Sequence, residues 1–194
     1  MNLIEIMKKR RSTREYTNED IPPEIINDIL KAGQLAPSSK NIRPIELLLI
    51  EDKNTLEFLS KSRTHGSTQL KNAKCAIITI ADTTTADAWI EDASITMTHM
   101  MLMAQYHNIG NCWIQIRMRK DDNNKLSSDI IKEKLGIPKH YEVEAILSLG
   151  ISKTTLPPQE WEKTVAFQLL GLEKVLIKKK FENLFEDVKI YFLS

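Results

Sequence analysis

Arg10, Arg11 and Arg14, interleaved with Ser12 and Thr13, put fixed positive charge, forked N–H donors and hydroxyls into five residues. Such a set suits a phosphate dianion better than a lysine point charge does. In an extended chain Arg10, Ser12 and Arg14 share one face. At about 3.3 Å per residue Arg10 and Arg14 then stand about 13 Å apart, so one can hold a phosphate while the other reaches an aromatic head group. On composition alone the stretch also reads as a basic helix end running into a solvated loop. A nuclear-import or nucleic-acid patch is a third and weaker reading. These residues by themselves leave the alternatives open.

Other chemistries find less support. No G-x-G-x-x-G and no G-x-x-x-x-G-K-[ST] occurs, so a phosphate has to be held by side chains. His65, His99, His107 and His140 make no metal set. His99 and His107 can share a helix face, but eight residues along a helix separate them by about 12 Å. Cys75 and Cys112 each sit inside an apolar run and read as buried thiols in a reducing compartment. There is no nucleophile motif of the G-x-S-x-G kind. The acidic cluster Asp82, Asp87, Glu91 and Asp92 reads as a solvated loop followed by a helix first turn.

With 194 residues, 42% hydrophobic content and a net charge of +1, the chain is expected to form one domain over 1–194. The near-neutral charge argues against a dedicated nucleic-acid or membrane-surface binder. The N-terminus lacks the order of a secretory signal, and no segment has the apolar length of a membrane span, so a cytoplasmic location is expected.

The positioning elements follow from periodicity and punctuation. A short helix over residues 2–9 delivers the arginines, and a second opens at Asp20-Ile21-Pro22-Pro23-Glu24 and stops near Gly33. Runs at Ile45–Ile50 and Cys75–Ala81 read as buried strands, with a helix starting at Asn54-Thr55-Leu56-Glu57 between them. Ala86–Asn108 is the longest helical stretch. It is apolar nearly all round, through residues such as Ile95, Met97, Met100 and Met101, and so belongs at a centre or a subunit interface. Asn111–Ile116 reads as a strand, Ser127–Leu135 as a helix closed by Gly136-Ile137-Pro138, and Val143–Leu149 as a strand. The lack of a regular βαβ rhythm favours α+β. The tail beyond Ile151, with Trp161, Phe167, Phe181, Phe185 and Phe192, needs a surface to cover.

Taken in order, four segments resemble the FMN-dependent nitroreductase family. They are Arg10-Arg11-Ser12-Thr13-Arg14-Glu15-Tyr16; Ala32-Gly33-Gln34-Leu35-Ala36-Pro37-Ser38-Ser39-Lys40-Asn41 with Pro44; the long helix running into Ile109-Gly110-Asn111-Cys112-Trp113-Ile114; and Leu135-Gly136-Ile137-Pro138 leading to Ile146-Leu147-Ser148-Leu149-Gly150. The resemblance covers residues 2–151. It implies an α+β fold with a central mixed or antiparallel sheet flanked by helices. It also implies a homodimer with an exchanged C-terminal tail, 152–194, packing on the partner subunit.

The function it implies is oxidation of NADH or NADPH through bound FMN and ping-pong reduction of a nitroaromatic, quinone or related small acceptor. A non-catalytic FMN store or sensor of the same fold is the alternative. Position by position, Arg10, Arg11 and Ser12 resemble the phosphate and ribityl contacts. Arg14 resembles the cation that stabilises reduced flavin near N1 and O2. Pro37, Ser38, Ser39 and Asn41 resemble the segment that reaches the flavin from the other subunit. The Trp113-Ile114-Gln115-Ile116 stretch resembles the segment whose backbone N–H faces flavin N5, at Gln115 or Ile116. Gln69 stands where some members place a lysine, and Leu149 and Gly150 resemble the strand end beside the cofactor. No catalytic side chain and no metal are implied. Two departures stand out: Ile45 replaces an aromatic residue, and Leu156-Pro157-Pro158 replaces a basic phosphate anchor, for which Lys153 and Lys163 are the nearest candidates.

Overall fold

Four strands, β1 (Ile45–Ile50), β2 (Cys75–Asp82), β3 (Gly110–Gln115) and β4 (Tyr141–Gly150), pair antiparallel in the order β1-β2-β4-β3 in a computed structural model that describes residues 2–159. β2 and β4 are central, which is why both read as nearly unbroken apolar runs: each of their faces is covered. On one face lie α2 (Pro23–Gln34) and α4 (Trp89–Tyr106), packing Ile29, Met97 and Met100 onto Ile77, Leu147 and Leu149. On the other lie α3 (Lys53–Ser60) and α5 (Ser127–Leu135), packing Leu56, Leu59 and Ile131 onto Ile78, Ile114 and Ile146. The α+β expectation holds, and every strand pairing within the sheet is antiparallel.

α1 (Leu3–Lys9) is capped by Asn2, whose side chain accepts from the Glu5 N–H, and it ends as Arg10 turns extended. The chain beyond Arg10 lies along the sheet end. Ser12 bridges Asn111 in parallel and Tyr16 bridges Ser152 antiparallel, so the arginine stretch is extended as its alternation required. Met1 and residues 160–194 lie outside the described part. The expectations for the tail, including partner packing and Lys163, therefore fall outside it too.

Three local expectations need correction. α3 is opened by Asp52 rather than Asn54: the Asp52 carboxylate accepts from the Thr55 N–H at 2.7 Å, filling the cap position two residues earlier. α4 begins at Trp89, not Ala86, because Asp82 binds the Thr84 N–H and hydroxyl and draws the threonines into a turn before the helix. Asp92 is not solvated; it is 3% exposed. The two cysteines are free and buried as expected, and burial pushes the Cys75 thiol up to about 12. No helix among the described residues is long and apolar enough to cross a membrane.

Candidate functional site

Three chain segments meet at the end of the sheet where β3 begins and β4 finishes. The Thr13 N–H donates to Asn111 O at 2.8 Å, the Thr17 N–H to Ile151 O at 2.8 Å and the Lys153 N–H to Glu15 O at 3.0 Å, so residues 12–17 are stitched to both strands. Tyr16 pins the junction. Its ring is buried, and its hydroxyl lies 2.8 Å from Thr13 O and 2.7 Å from Ser148 Oγ. Burial raises that phenol well above its ordinary range, so it stays protonated and able to donate. The approach of residues 13–16 is close enough that a Cβ on Gly110 would stand 2.8 Å from Thr13 Cγ2.

Two polar atoms in this neighbourhood are buried without a partner: Arg10 Nη1, a donor, and Asn111 Oδ1, an acceptor. Arg10 lies two residues before Ser12 along the extended chain, and Ser12 is the bridge partner of Asn111. An orphaned guanidinium donor asks for an anion, and an orphaned amide oxygen asks for a hydroxyl or N–H. A phosphorylated polyol such as the ribityl phosphate of FMN offers both. The residues present fit that group.

Arg11 is directed otherwise. With Lys9 and Thr13 it lines a cavity of about 330 Å³ that includes Gln105, Asn108 and Thr155 but neither Arg10 nor Ser12, and its Nη1 donates to Pro157 O at 2.5 Å. Arg14 is exposed and reaches back only to Ser12 O at 3.5 Å. Gln69 is buried; its amide donates to Gly66 O at 3.2 Å and lies 3.6 Å from Cys112 Sγ on β3. Gln115 ends β3 and Ile116 follows it, fully buried; the Ile116 N–H donates to Glu144 O at 3.0 Å, so of the two residues expected to turn an N–H toward a flavin, Ile116 is already engaged. Leu149 and Gly150 close β4 beside Tyr16.

Pro37, Ser38, Ser39 and Asn41 lie elsewhere. They lead into β1 at one edge of the sheet, whereas Gln115 ends β3 at the other edge. Three inter-strand spacings separate those edges by about 14 Å. The loop is fixed from below by Asp92 on the first turn of α4, whose Oδ1 accepts the Ser39 N–H at 2.8 Å while its Oδ2 is buried without a partner. Lys40, Asn41 and Arg43 all take positive φ, at 52°, 55° and 56°, which marks the loop as held rather than relaxed. Arg11 and Gln105 sit near the opposite end of α4, about 20 Å further along the helix axis.

Residue types alone missed three participants. Asp92 has just been described. Glu144 is the extra residue at the bulge in β4; buried there, it ion-pairs with Arg117 Nε at 2.9 Å and accepts from Gln115 Nε2 at 2.8 Å. Arg63 donates to Gln115 O at 2.7 Å. Gln115 is therefore gripped from two sides, and Trp113 Nε1 donates to its Oε1 at 2.9 Å. No cluster of metal-ligating residues occurs among the described residues.

The family model described as "Nitroreductase family" matches residues 7–151. A solved FMN-dependent nitroreductase from Clostridium difficile R20291 is 43% identical, with a TM-score of 0.79 over 81% of this chain and 91% of that one. A protein of Archaeoglobus fulgidus, provisionally named as an NADH dehydrogenase/NAD(P)H nitroreductase, is 33% identical over 77% of this chain and 85% of its own length. A structure from Desulfovibrio desulfuricans, provisionally named a nitroreductase and solved in complex with FMN, shares the fold at a TM-score of 0.71 and 21% identity, covering 84% and 92% of the two chains.

Proposed function

The chain belongs to the nitroreductase family, and from that premise we propose that it is an NAD(P)H-dependent FMN oxidoreductase that reduces a nitroaromatic, quinone or similar small acceptor by a ping-pong route. The observation that carries the reading is the unpartnered, buried Nη1 of Arg10, two residues before Ser12, together with the unpartnered Oδ1 of Asn111, the bridge partner of Ser12. When bound, FMN supplies the two-electron chemistry, taking reducing equivalents from the nucleotide and giving them to the acceptor. The residues of this chain bind and orient it. Arg10 and Ser12 hold the phosphate, Asn111 accepts from the polyol, and Gln115, braced by Arg63 and Glu144, presents its backbone N–H to the ring. Arg14 places an exposed guanidinium where charge develops.

The visible spectrum of the purified protein, taken before and after anaerobic NADH or NADPH, tests this. Flavin bands that bleach support the reading. Bands that persist would move it to the flavin store or sensor, and failure to retain added FMN would end both.

We infer further that two copies build each site. Pro37–Asn41 and Gln115 occupy opposite sheet edges, and large apolar side chains, Leu3, Ile4 and Met7 on α1 with Leu35 and Tyr106, are exposed. Light scattering is expected to give twice the chain mass; a stable monomer that keeps its FMN would remove the second copy.

Asp92 is then a positioning residue. Asp92→Ala frees the Ser39 N–H and is expected to raise the dissociation constant for FMN about tenfold, the worth of one hydrogen bond to a charged group. Asp92→Asn keeps an acceptor and should cost less. Titration by quenching of FMN fluorescence measures both, and wild-type affinity in the alanine variant would detach this loop from the site.

A further inference from the structure

We propose that Arg63 and Arg119 form an anion subsite beside the Gln115–Ile116 segment, selecting a phosphate or carboxylate group on a molecule that visits the flavin. The inference rests on the flavin reading above and adds a charge preference that the reading does not contain.

A contact between two loops and one backbone turn bring the residues together. The Thr64 N–H and hydroxyl both donate to Lys120 O, at 3.0 and 3.2 Å, which sets the loop carrying Arg63 against the one carrying Arg119. The Arg119 N–H closes a turn on Ile116 O at 3.0 Å, with Met118 at a φ of 58° and 74% exposed. The turn therefore returns Arg119 toward Arg63 directly after the segment that faces the ring.

The charge is uncompensated. Arg117, between them in sequence, is matched by Glu144, but among the described residues no carboxylate lies in ion-pair range of Arg63 or Arg119. Arg63 is half-buried, and its guanidinium is held by the bond to Gln115 O; it passes close to Gly66, where an added Cβ would stand 3.3 Å from Arg63 Nη2. Burial, and then the nearby Arg119 charge, lower its pKa, the signature of a cation held without its counter-ion. Two like charges kept close at a half-dry site repel each other, and an oxyanion relieves that repulsion while meeting two forked donor sets. One Arg63 N–H is committed to Gln115; the remainder of its fork and all of Arg119 are available to an incoming oxyanion.

The anion has two possible sources, the phosphates of the reduced nucleotide or an acidic group on the acceptor. Arg119 is exposed, so its substitution spares the fold. Stopped-flow measurements on FMN-loaded Arg119→Gln and Arg119→Glu separate the sources. The reductive arm follows bleaching by NADH and by NADPH. The oxidative arm follows reoxidation of reduced protein by 4-nitrobenzoate and by neutral 4-nitrobenzamide. The expected result is a loss of about tenfold in apparent affinity for the charged partner in one arm, larger for glutamate than for glutamine, with nitrobenzamide unchanged. Arg63→Lys, which keeps charge but loses the fork, should weaken the same partner. Charge-independent rates in both arms, from a protein that binds and bleaches FMN normally, overturn the subsite alone. A wild-type protein that does not retain FMN overturns the flavin reading and this inference with it.

Discussion

Arg10→Ala is expected to raise the dissociation constant for FMN by about two orders of magnitude, while Arg11→Ala changes it only a few-fold. The contrast follows from the alternation of an extended chain. Arg10 carries a buried donor with no partner, and Arg11 lines a separate cavity and donates to Pro157 O. A hydrogen bond to a charged group contributes about 1.5–3 kcal/mol, and a forked guanidinium on a phosphate uses more than one, so a loss of about 3 kcal/mol, or roughly a hundredfold, is the natural scale. Arg10→Lys retains charge without the fork and should fall between. The apoprotein provides the control. The Arg10 side chain makes no hydrogen bond or ion pair to the described protein, so its removal should leave the apo Tm unchanged or raise it, because a half-buried, unpaired charge opposes folding. Weakened FMN binding with an intact or higher apo Tm is the expected pair of results. Wild-type affinity in Arg10→Ala would remove the phosphate assignment, and a large fall in apo Tm would make Arg10 a structural residue.

How far the sequence could be read depended on whether a residue's fate was decided locally. β1, β2 and β4 were legible because sheet faces covered on both sides leave continuous apolar runs. The bounds of α2 and α5 were legible because Pro22-Pro23 and Gly136 act on the backbone of their own turn. Asp92 was not. A carboxylate in a helix first turn looks the same in sequence whether it faces water or, as here, a Ser39 N–H from another part of the chain. Glu144 escaped for a related reason: its burial comes from a β-bulge, which no local pattern announces. Asp52 and Asn54 are both good capping types, and only the geometry selects the first. Arg10 and Arg11 are identical in type, so only the register of Ser12 against Asn111 separates the residue with the unpartnered donor from the one that lines the other cavity. The site residues named from resemblance fall into two groups at opposite sheet edges, a division that order along the chain cannot reveal.

Gly150→Ala is expected to damage the fold and the cofactor site together, through one contact. A Cβ at this position would stand 2.6 Å from Tyr16 Cδ1, 2.7 Å from Cγ and 2.9 Å from Cβ, distances no packed methyl group adopts. The ring cannot step aside. Its hydroxyl is tied to Thr13 O and Ser148 Oγ, its backbone bridges Ser152, and the Thr17 N–H is bonded to Ile151 O. Overpacking of this kind costs about 1–3 kcal/mol, and a pinned aromatic neighbour places it near 3. At about 3 °C per kcal/mol for a domain of this size, Tm should fall by roughly 10 °C. The strand that is pushed away carries Arg10 and Ser12 with it, so FMN affinity should fall as well, which a purely remote packing defect would not cause. A double-mutant cycle isolates the contact. Tyr16→Ala alone should cost about 3–5 kcal/mol for the lost aromatic core volume. Once the ring is gone, however, only the 2.9 Å contact with the residue 16 Cβ remains, so adding Gly150→Ala should cost distinctly less than it does in the wild type, giving a coupling that is most of the clash. Additive effects in that cycle would mean that Gly150 is required by its own backbone and not by Tyr16. The coupled result would identify the Tyr16–Gly150 contact as the joint that fastens the arginine strand to the sheet.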